Sequence, residues 1–296
     1  MRSLVRIMFA VLCWFAVPEV ALAEDADALY RQGLAYKQQG KSDEAIKALE
    51  GAVAANPRHG MAWSSLGNLY KQKQDLPKAV AAYETAVSII KQDKILWANL
   101  GMAYYRNKQV DKALDALITA SRLDPKDAEI RGNLGTVRRQ KGDLPGAIAD
   151  LEMAVKLKPT EGNYQNNLGV AYRHAKREDD AIKAFSKAIE LSPNDPSFHF
   201  NLGVAYRRKE MTEEAIKAYE RATSLDPSYA DAWYDLGLMY KDYKYNDKAI
   251  AAFQKYLDLN KGKDTQGQKR AEEELGALGG AKPAPKTPPK KPAPKK

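Results

Sequence analysis

Cysteine is almost absent from this 296-residue chain; Cys13 is the only one. Beyond residue 13 no disulfide can staple the fold, and no thiolate can act as nucleophile or metal ligand. Histidine is nearly as scarce. His59, His174 and His199 share no metal-ligand spacing. The sequence also lacks a Gly-rich phosphate loop, a nucleophile elbow and a zinc signature. These absences exclude the common catalytic classes, so neither enzymatic activity nor a cofactor or metal is expected.

Long hydrophobic runs are missing too, with one short exception at the start. Arg2 and Arg6 precede an apolar run from Ile7 to Val17, and Ala21-Leu22-Ala23 fits a small-residue cleavage signal. An uncleaved membrane anchor is the competing reading. However, eleven apolar residues rise only ~16 Å as a helix, short of the ~30 Å hydrocarbon layer. Residues 1–23 are therefore expected to be a cleaved signal peptide, leaving no transmembrane span. Leu12, not a small residue, precedes Cys13, which argues against lipoprotein attachment. With no cysteine and no Asn-x-Ser/Thr sequon after the leader, the exported chain suits a bacterial envelope or periplasmic protein.

Acidic residues are lacking in one place only. The formal charge is +9, but residues 281–296 carry six lysines and no acid, and residues 24–280 are left near +2. The tail is Lys, Pro and Ala with one Thr, a composition unable to bury apolar area and expected to stay disordered. Before it, 264–280 reads as a polar helix in which Ala271, Leu275 and Leu278 cover the end of the preceding domain.

Between these ends lies a period of 34 residues with no insertion or deletion, seven units from Ala26 to Lys263. The units are 26–59, 60–93, 94–127, 128–161, 162–195, 196–229 and 230–263. Counting each unit from position 1, position 8 is glycine throughout (Gly33, Gly67, Gly101, Gly135, Gly169, Gly203, Gly237) and position 20 is alanine throughout. Position 7 is Leu in six units, and position 11 is Tyr in six, with Arg138 the exception. Position 4 holds Trp63, Trp97 and Trp233 but also Arg131 and His199, the latter read as a core residue. Position 24 is large and apolar, and position 32 is Pro in five units, with Lys91 and Lys261 replacing it in the others. Positions 4, 7, 8 and 11 share one helix face and are expected to be its buried stripe; 20, 24 and 27 form the stripe of a second helix.

This pattern resembles the tetratricopeptide repeat, with its W-x2-L-G-x2-Y, A-x3-F and P signature, over about four-fifths of the chain. The resemblance implies an all-α, right-handed superhelical solenoid of seven helix-turn-helix repeats, its concave face lined by the first helix of each pair. Positions 2, 5, 6, 9, 12 and 13 lie opposite the buried stripe and would face that groove. Position 6 carries a ladder of Asn99, Asn133, Asn167 and Asn201, followed by Asp235. Amides that both donate and accept suit an extended peptide backbone; inheritance of a family residue is the other reading. Position 12 is basic in six units, including Lys71, Arg139, Arg173, Arg207 and Lys241, and His174 and Arg208 at position 13 thicken the row. Arginine at this spacing suits carboxylates; a solvated helix face is the alternative. Apolar Phe200, Val204 and Tyr234 lie between the charges.

The expected function is an exported scaffold that holds extended acidic segments of a protein partner in its groove. The alternative is a module that binds an anionic surface (cell wall, lipid or nucleic acid) mainly through the Lys/Pro tail.

Overall fold

The computed structural model describes residues 19–279, with side chains from residue 25. Most of the predicted leader and all of the Lys/Pro tail lie outside the described residues. Residues 19–23, the end of that leader, are helical and continuous with the first helix. Among the described residues there are fifteen α-helices and no strand. None of the helices is long and apolar enough to cross a membrane. The chain divides into two compact units after Pro125.

The first unit holds α1 (Glu19–Gln38), α2 (Ser42–Ala55), α3 (Gly60–Gln72), α4 (Leu76–Ile89), α5 (Lys94–Arg106) and α6 (Val110–Leu123). The second holds α7 (Ala128–Lys141), α8 (Leu144–Leu157), α9 (Gly162–His174), α10 (Glu178–Leu191), α11 (Pro196–Arg208), α12 (Thr212–Leu225), α13 (Ala230–Asp242), α14 (Asn246–Asn260) and α15 (Thr265–Ala277). Odd-numbered helices up to α13 occupy the first half of each 34-residue unit, and even-numbered helices the second half.

Local chemistry sets the helix boundaries. Asp93, Asp127 and Asp195 end extended stretches and accept backbone N–H groups of α5, α7 and α11, satisfying orphan donors of the first turn. Pro77 and Pro145 sit in the first turns of α4 and α8, where a missing N–H costs nothing. The turn inside each pair passes through one left-handed residue at position 15. It is glycine twice (Gly40, φ +74°; Gly142, φ +89°), but Gln74, Lys108, Lys176, Glu210 and Lys244 take φ of +58° to +63° at the same point. The stacking on either side therefore holds five non-glycine residues in a conformation that costs about 1 kcal/mol each.

Within a pair, the position-8 glycine meets the position-24 side chain. A Cβ on Gly67 would lie 2.7 Å from the ring of Tyr83, and one on Gly169 would lie 2.6 Å from the ring of Phe185. Every position-24 side chain, from Leu49 to Phe253, is fully buried, as is every position-20 alanine. The buried stripe of the first helix differs from the sequence reading. Positions 3, 7 and 10 are its deepest: Phe198, Leu202 and Ala205 in α11, and Ile130, Leu134 and Val137 in α7. Position 11, expected in the stripe, is buried in α5, α9 and α13 (Tyr104, Tyr172, Tyr240), whereas position 4 is half-buried at its edge. The reason is that α3, α5, α9, α11 and α13 each pack against their own partner and against the second helix of the preceding repeat, so the apolar arc is wider than one stripe.

The edge positions supply hydrogen bonds between units. In α3, α5 and α13 the indole Nε1 of Trp63, Trp97 and Trp233 donates to the carbonyl of position 32 in the preceding unit: Pro57 (2.9 Å), Lys91 (2.8 Å) and Pro227 (3.0 Å). His199 makes the equivalent contact, its Nε2 2.9 Å from the Pro193 carbonyl. This corrects the core reading of His199: it is a half-buried hydrogen-bonding substitute for tryptophan. Position-11 tyrosines donate to the position-25 glutamate of the preceding unit: Tyr70 to Glu50, Tyr172 to Glu152 and Tyr240 to Glu220, at 2.6–2.7 Å. Burial, followed by the Glu152 bond, pushes the Tyr172 hydroxyl up to about 12. In α7, where both aromatic positions are arginine, Arg131 (Nη1–Oδ1 2.7 Å) and Arg138 (Nε–Oδ2 3.3 Å) converge on buried Asp150 of α8.

At the end of the second unit α15 lies on the last pair. Ala271 and Leu275 are fully buried in one cluster with Tyr256, Leu257 and Phe253, and Leu278 packs against it.

Candidate peptide-binding face

In the second unit α7 packs directly on α9, and α9 on α11, more closely than the second helices of successive pairs approach one another. The first-helix side is therefore the inner side of this stack. Gly132 makes one of these approaches possible, since a Cβ there would lie 2.7 Å from the Tyr164 ring of α9. The predicted site residues of this unit lie on these first helices, within the last two turns or near the middle of each.

In the first unit, Lys71 of α3 and Asn99 of α5 face each other, with Nζ 3.4 Å from Oδ1. The same geometry, position 12 of one unit to position 6 of the next, recurs in the second unit. Arg173 of α9 donates from Nη1 to Oδ1 of Asn201 at 3.4 Å, and Arg207 of α11 donates to Oδ1 of Asp235 at 3.0 Å. The sequence reading put the two rows side by side as ligand-facing groups. Instead, at three of their steps the rows engage each other and stitch successive first helices together. Asn201 also donates from Nδ2 to Oδ1 of Asn166, the position-5 residue of α9, at 2.9 Å. Asn133 and Asn167, both half-buried, make no side-chain hydrogen bond within the described residues and keep their amides for other partners.

The basic row is correspondingly uneven. Arg207 is neutralised by Asp235, whose carboxyl is raised by burial and held down in part by that guanidinium. Lys241 pairs with Glu274 of α15 at 2.6 Å, and Arg208 with Glu178 of α10 at 2.7 Å. Among the described residues Arg139 and Arg173 have no such ion pair. Arg173 is depressed by burial and then by Arg208 and Arg139, with Glu178 opposing. His174 is pushed below its ordinary value by burial and by Arg139, Arg173 and Arg208. Arg139 and Arg208 thus act on Arg173, and all three on His174, in a positive cluster where, among the described residues, Arg208 alone has an acidic partner. Sequence spacing located these four residues. It could not supply their partners, because Glu178, Glu274 and Asn166 lie on other elements or off the two rows.

A physical reason other than a ligand contributes to the row. Position 12 falls in the last turn of each first helix, where cations complement the helix dipole. The neighbouring Lys73–Asp43 and Lys209–Asp179 pairs link such helix ends to the acidic first turn of the preceding unit's second helix. That role suffices for an exposed lysine. It does not account for half-buried Arg173 held among other cations. Among the described residues no group of three or more His, Cys, Asp and Glu could hold a metal ion.

Comparison with known proteins agrees with this architecture. Residues 16–232 match the family model of the cilia and flagella-associated protein 70 C-terminal domain, and residues 230–263 match that of the tetratricopeptide repeat. No curated protein matches the sequence. Among solved structures, a tetratricopeptide repeat protein from Parabacteroides merdae superimposes with a TM-score of 0.69 at 17% identity, covering 86% of this chain and 99% of its own. The APC/C hetero-tetramer Cut9–Hcn1 gives a TM-score of 0.66 at 21% identity; 82% of this chain is covered, and it spans about half (48%) of that chain. YrrB, described as a TPR protein with an unusual peptide-binding site, gives 0.50 at 25% identity over 66% of this chain and 100% of its own. The glycine, alanine and aromatic positions that build the stack are those of the matched repeat, and the chain belongs to the tetratricopeptide-repeat family.

Proposed function

We propose that the protein is a non-catalytic scaffold, exported to a bacterial envelope or periplasm, which captures an extended acidic segment of a partner protein on the inner face of α7, α9 and α11. The carrying observation is the two guanidiniums without an acidic partner among the described residues, Arg139 and Arg173, clustered with His174 and with Glu178-paired Arg208, beside the unengaged amides of Asn133 and Asn167. Guanidiniums bind carboxylates with directed, charge-assisted hydrogen bonds, and side-chain amides bind a peptide backbone regardless of its sequence. That YrrB is described as having a peptide-binding site supports the reading. The leader at 1–23 supports export, which the N-terminal sequence of the mature protein tests directly.

The test uses a labelled glutamate-rich peptide and fluorescence anisotropy. Arg139→Gln and Arg173→Gln should each weaken binding about tenfold, equivalent to ~1.4 kcal/mol, with little change in Tm. Arg207→Gln is the wrong probe, because it strips buried Asp235 of its counter-charge and acts through stability. A second readout is the His174 titration. Its depressed pKa in the free protein keeps the ring neutral below the ordinary value of 6.5, and a bound carboxylate stabilises the imidazolium, so the midpoint should rise on binding. Undiminished binding by both variants with an unmoved His174 midpoint would remove this face from the function.

A further inference from the structure

At the far end of the same face, between α11, α13, α14 and α15, lies a cavity of about 270 Å³. That is small for a ligand pocket, of a size for one long side chain and not a whole cofactor. Its walls are the rings of Phe200, Tyr234 and Tyr256. Tyr234 and Tyr256 pack on each other with centroids 5.1 Å apart. Its polar lining is Asp231, Asp235, Asp264 and Arg270. Asp235 is committed to Arg207, and Arg270 offsets one of the other two carboxylates, leaving a net single negative charge. Burial, and then Asp264 and Asp231, raise the Tyr256 hydroxyl, as a negative field requires. Gly267 of α15 lets this arrangement close up: a Cβ there would collide with the Tyr256 hydroxyl and the Asp264 carboxylate.

Aromatic faces beside carboxylates are the chemistry that receives an ammonium or guanidinium, through cation–π attraction and a charge-assisted hydrogen bond together. Along the second unit the face thus changes sign. Arg139 and Arg173 make it positive, the Arg207–Asp235 pair marks the changeover, and Asp231 and Asp264 make the end negative. We infer that this cavity is a receptor for one lysine or arginine side chain of the bound peptide, so that the ligand is bipartite, an acidic stretch with a cationic residue at one end only. The inference rests on the proposed peptide-binding face for the acidic half, whereas the cavity's own chemistry carries the cationic half.

Three labelled peptides test it: a plain glutamate-rich peptide, and the same peptide extended by a short Gly-Ser spacer and a lysine at either its N- or its C-terminus. One of the two extensions should bind about tenfold tighter than the plain peptide, and the other should not. Replacing that lysine by norleucine should cancel the gain without altering the protein. Asp231→Asn combined with Asp264→Asn, which keeps an oxygen to cap α15, should cancel it too and leave the affinity for the plain peptide unchanged. Equal affinity for all three peptides, or a gain that survives both the norleucine swap and the double variant, would overturn the cavity assignment. If the plain peptide does not bind while a lysine-bearing peptide binds in an Asp231-dependent manner, the cavity stands and the acidic-segment reading falls.

Discussion

The position-8 glycines show how one residue sets the spacing of a whole pair. In α9 the Cβ that Gly169 lacks would sit 2.6 Å from the Phe185 ring, and Phe185 is fully buried among residues that leave it no retreat. Helix propensity alone favours alanine by ~1 kcal/mol, so packing must outweigh that preference. Gly169→Ala should therefore destabilise the protein by about 1–3 kcal/mol, the usual cost of overpacking, as read from the urea midpoint. A stabilised variant would mean that Phe185 can swing away. Gly276, with nothing near its missing Cβ, gives the contrasting control, because alanine there should be neutral or stabilising.

Helices here are held in register by polar contacts at the margin of the apolar stripe. Indole or imidazole groups bond to the preceding loop carbonyl, and tyrosines bond to the preceding glutamate, each worth about 1 kcal/mol net. α7 breaks both rules and substitutes Arg131 and Arg138 around Asp150, whose residue is only 4% exposed. Removing that carboxylate leaves two guanidiniums facing each other. Asp150→Ala should cost roughly 2–4 kcal/mol, below the top of the range for fully buried pairs because both arginines keep some access to water. Thermal unfolding checks this, and a loss under ~1 kcal/mol would show that water replaces the carboxylate. Arg131 and Arg138 look like a weakened signature in the sequence. Only the α7–α8 geometry makes them a charge network, because Asp150 gives no sign in the sequence of being their partner.

At the scale of the molecule, charge is divided by region. The repeats are nearly balanced, whereas residues 281–296 hold six lysines of the net +9. Lysines in that number attract an anionic surface with a strong dependence on salt. Deleting 281–296 should abolish association with vesicles containing phosphatidylserine at low salt and leave the glutamate-peptide affinity within twofold. Loss of both activities together would make the tail part of the peptide site. Vesicle binding that persists after deletion would place it on the repeats.

The unbroken 34-residue count determined the helices, their pairing and the glycine–aromatic contact, because a stacked repeat solves one packing problem and reuses the solution. It also put the asparagine and basic rows on one helix face, since 100° per residue is geometry the sequence carries. Tertiary structure decided which of those side chains are available. Arg207, Arg208 and Lys241 find Asp235, Glu178 and Glu274, whereas Arg139 and Arg173 find no ion-pair partner of this kind among the described residues. It also decided that the face ends in an acidic, aromatic cavity, because α15 brings Asp264, Gly267 and Arg270 from outside the period. Periodicity fixes direction along a helix. Partnership depends on distances between helices, which no count of residues contains.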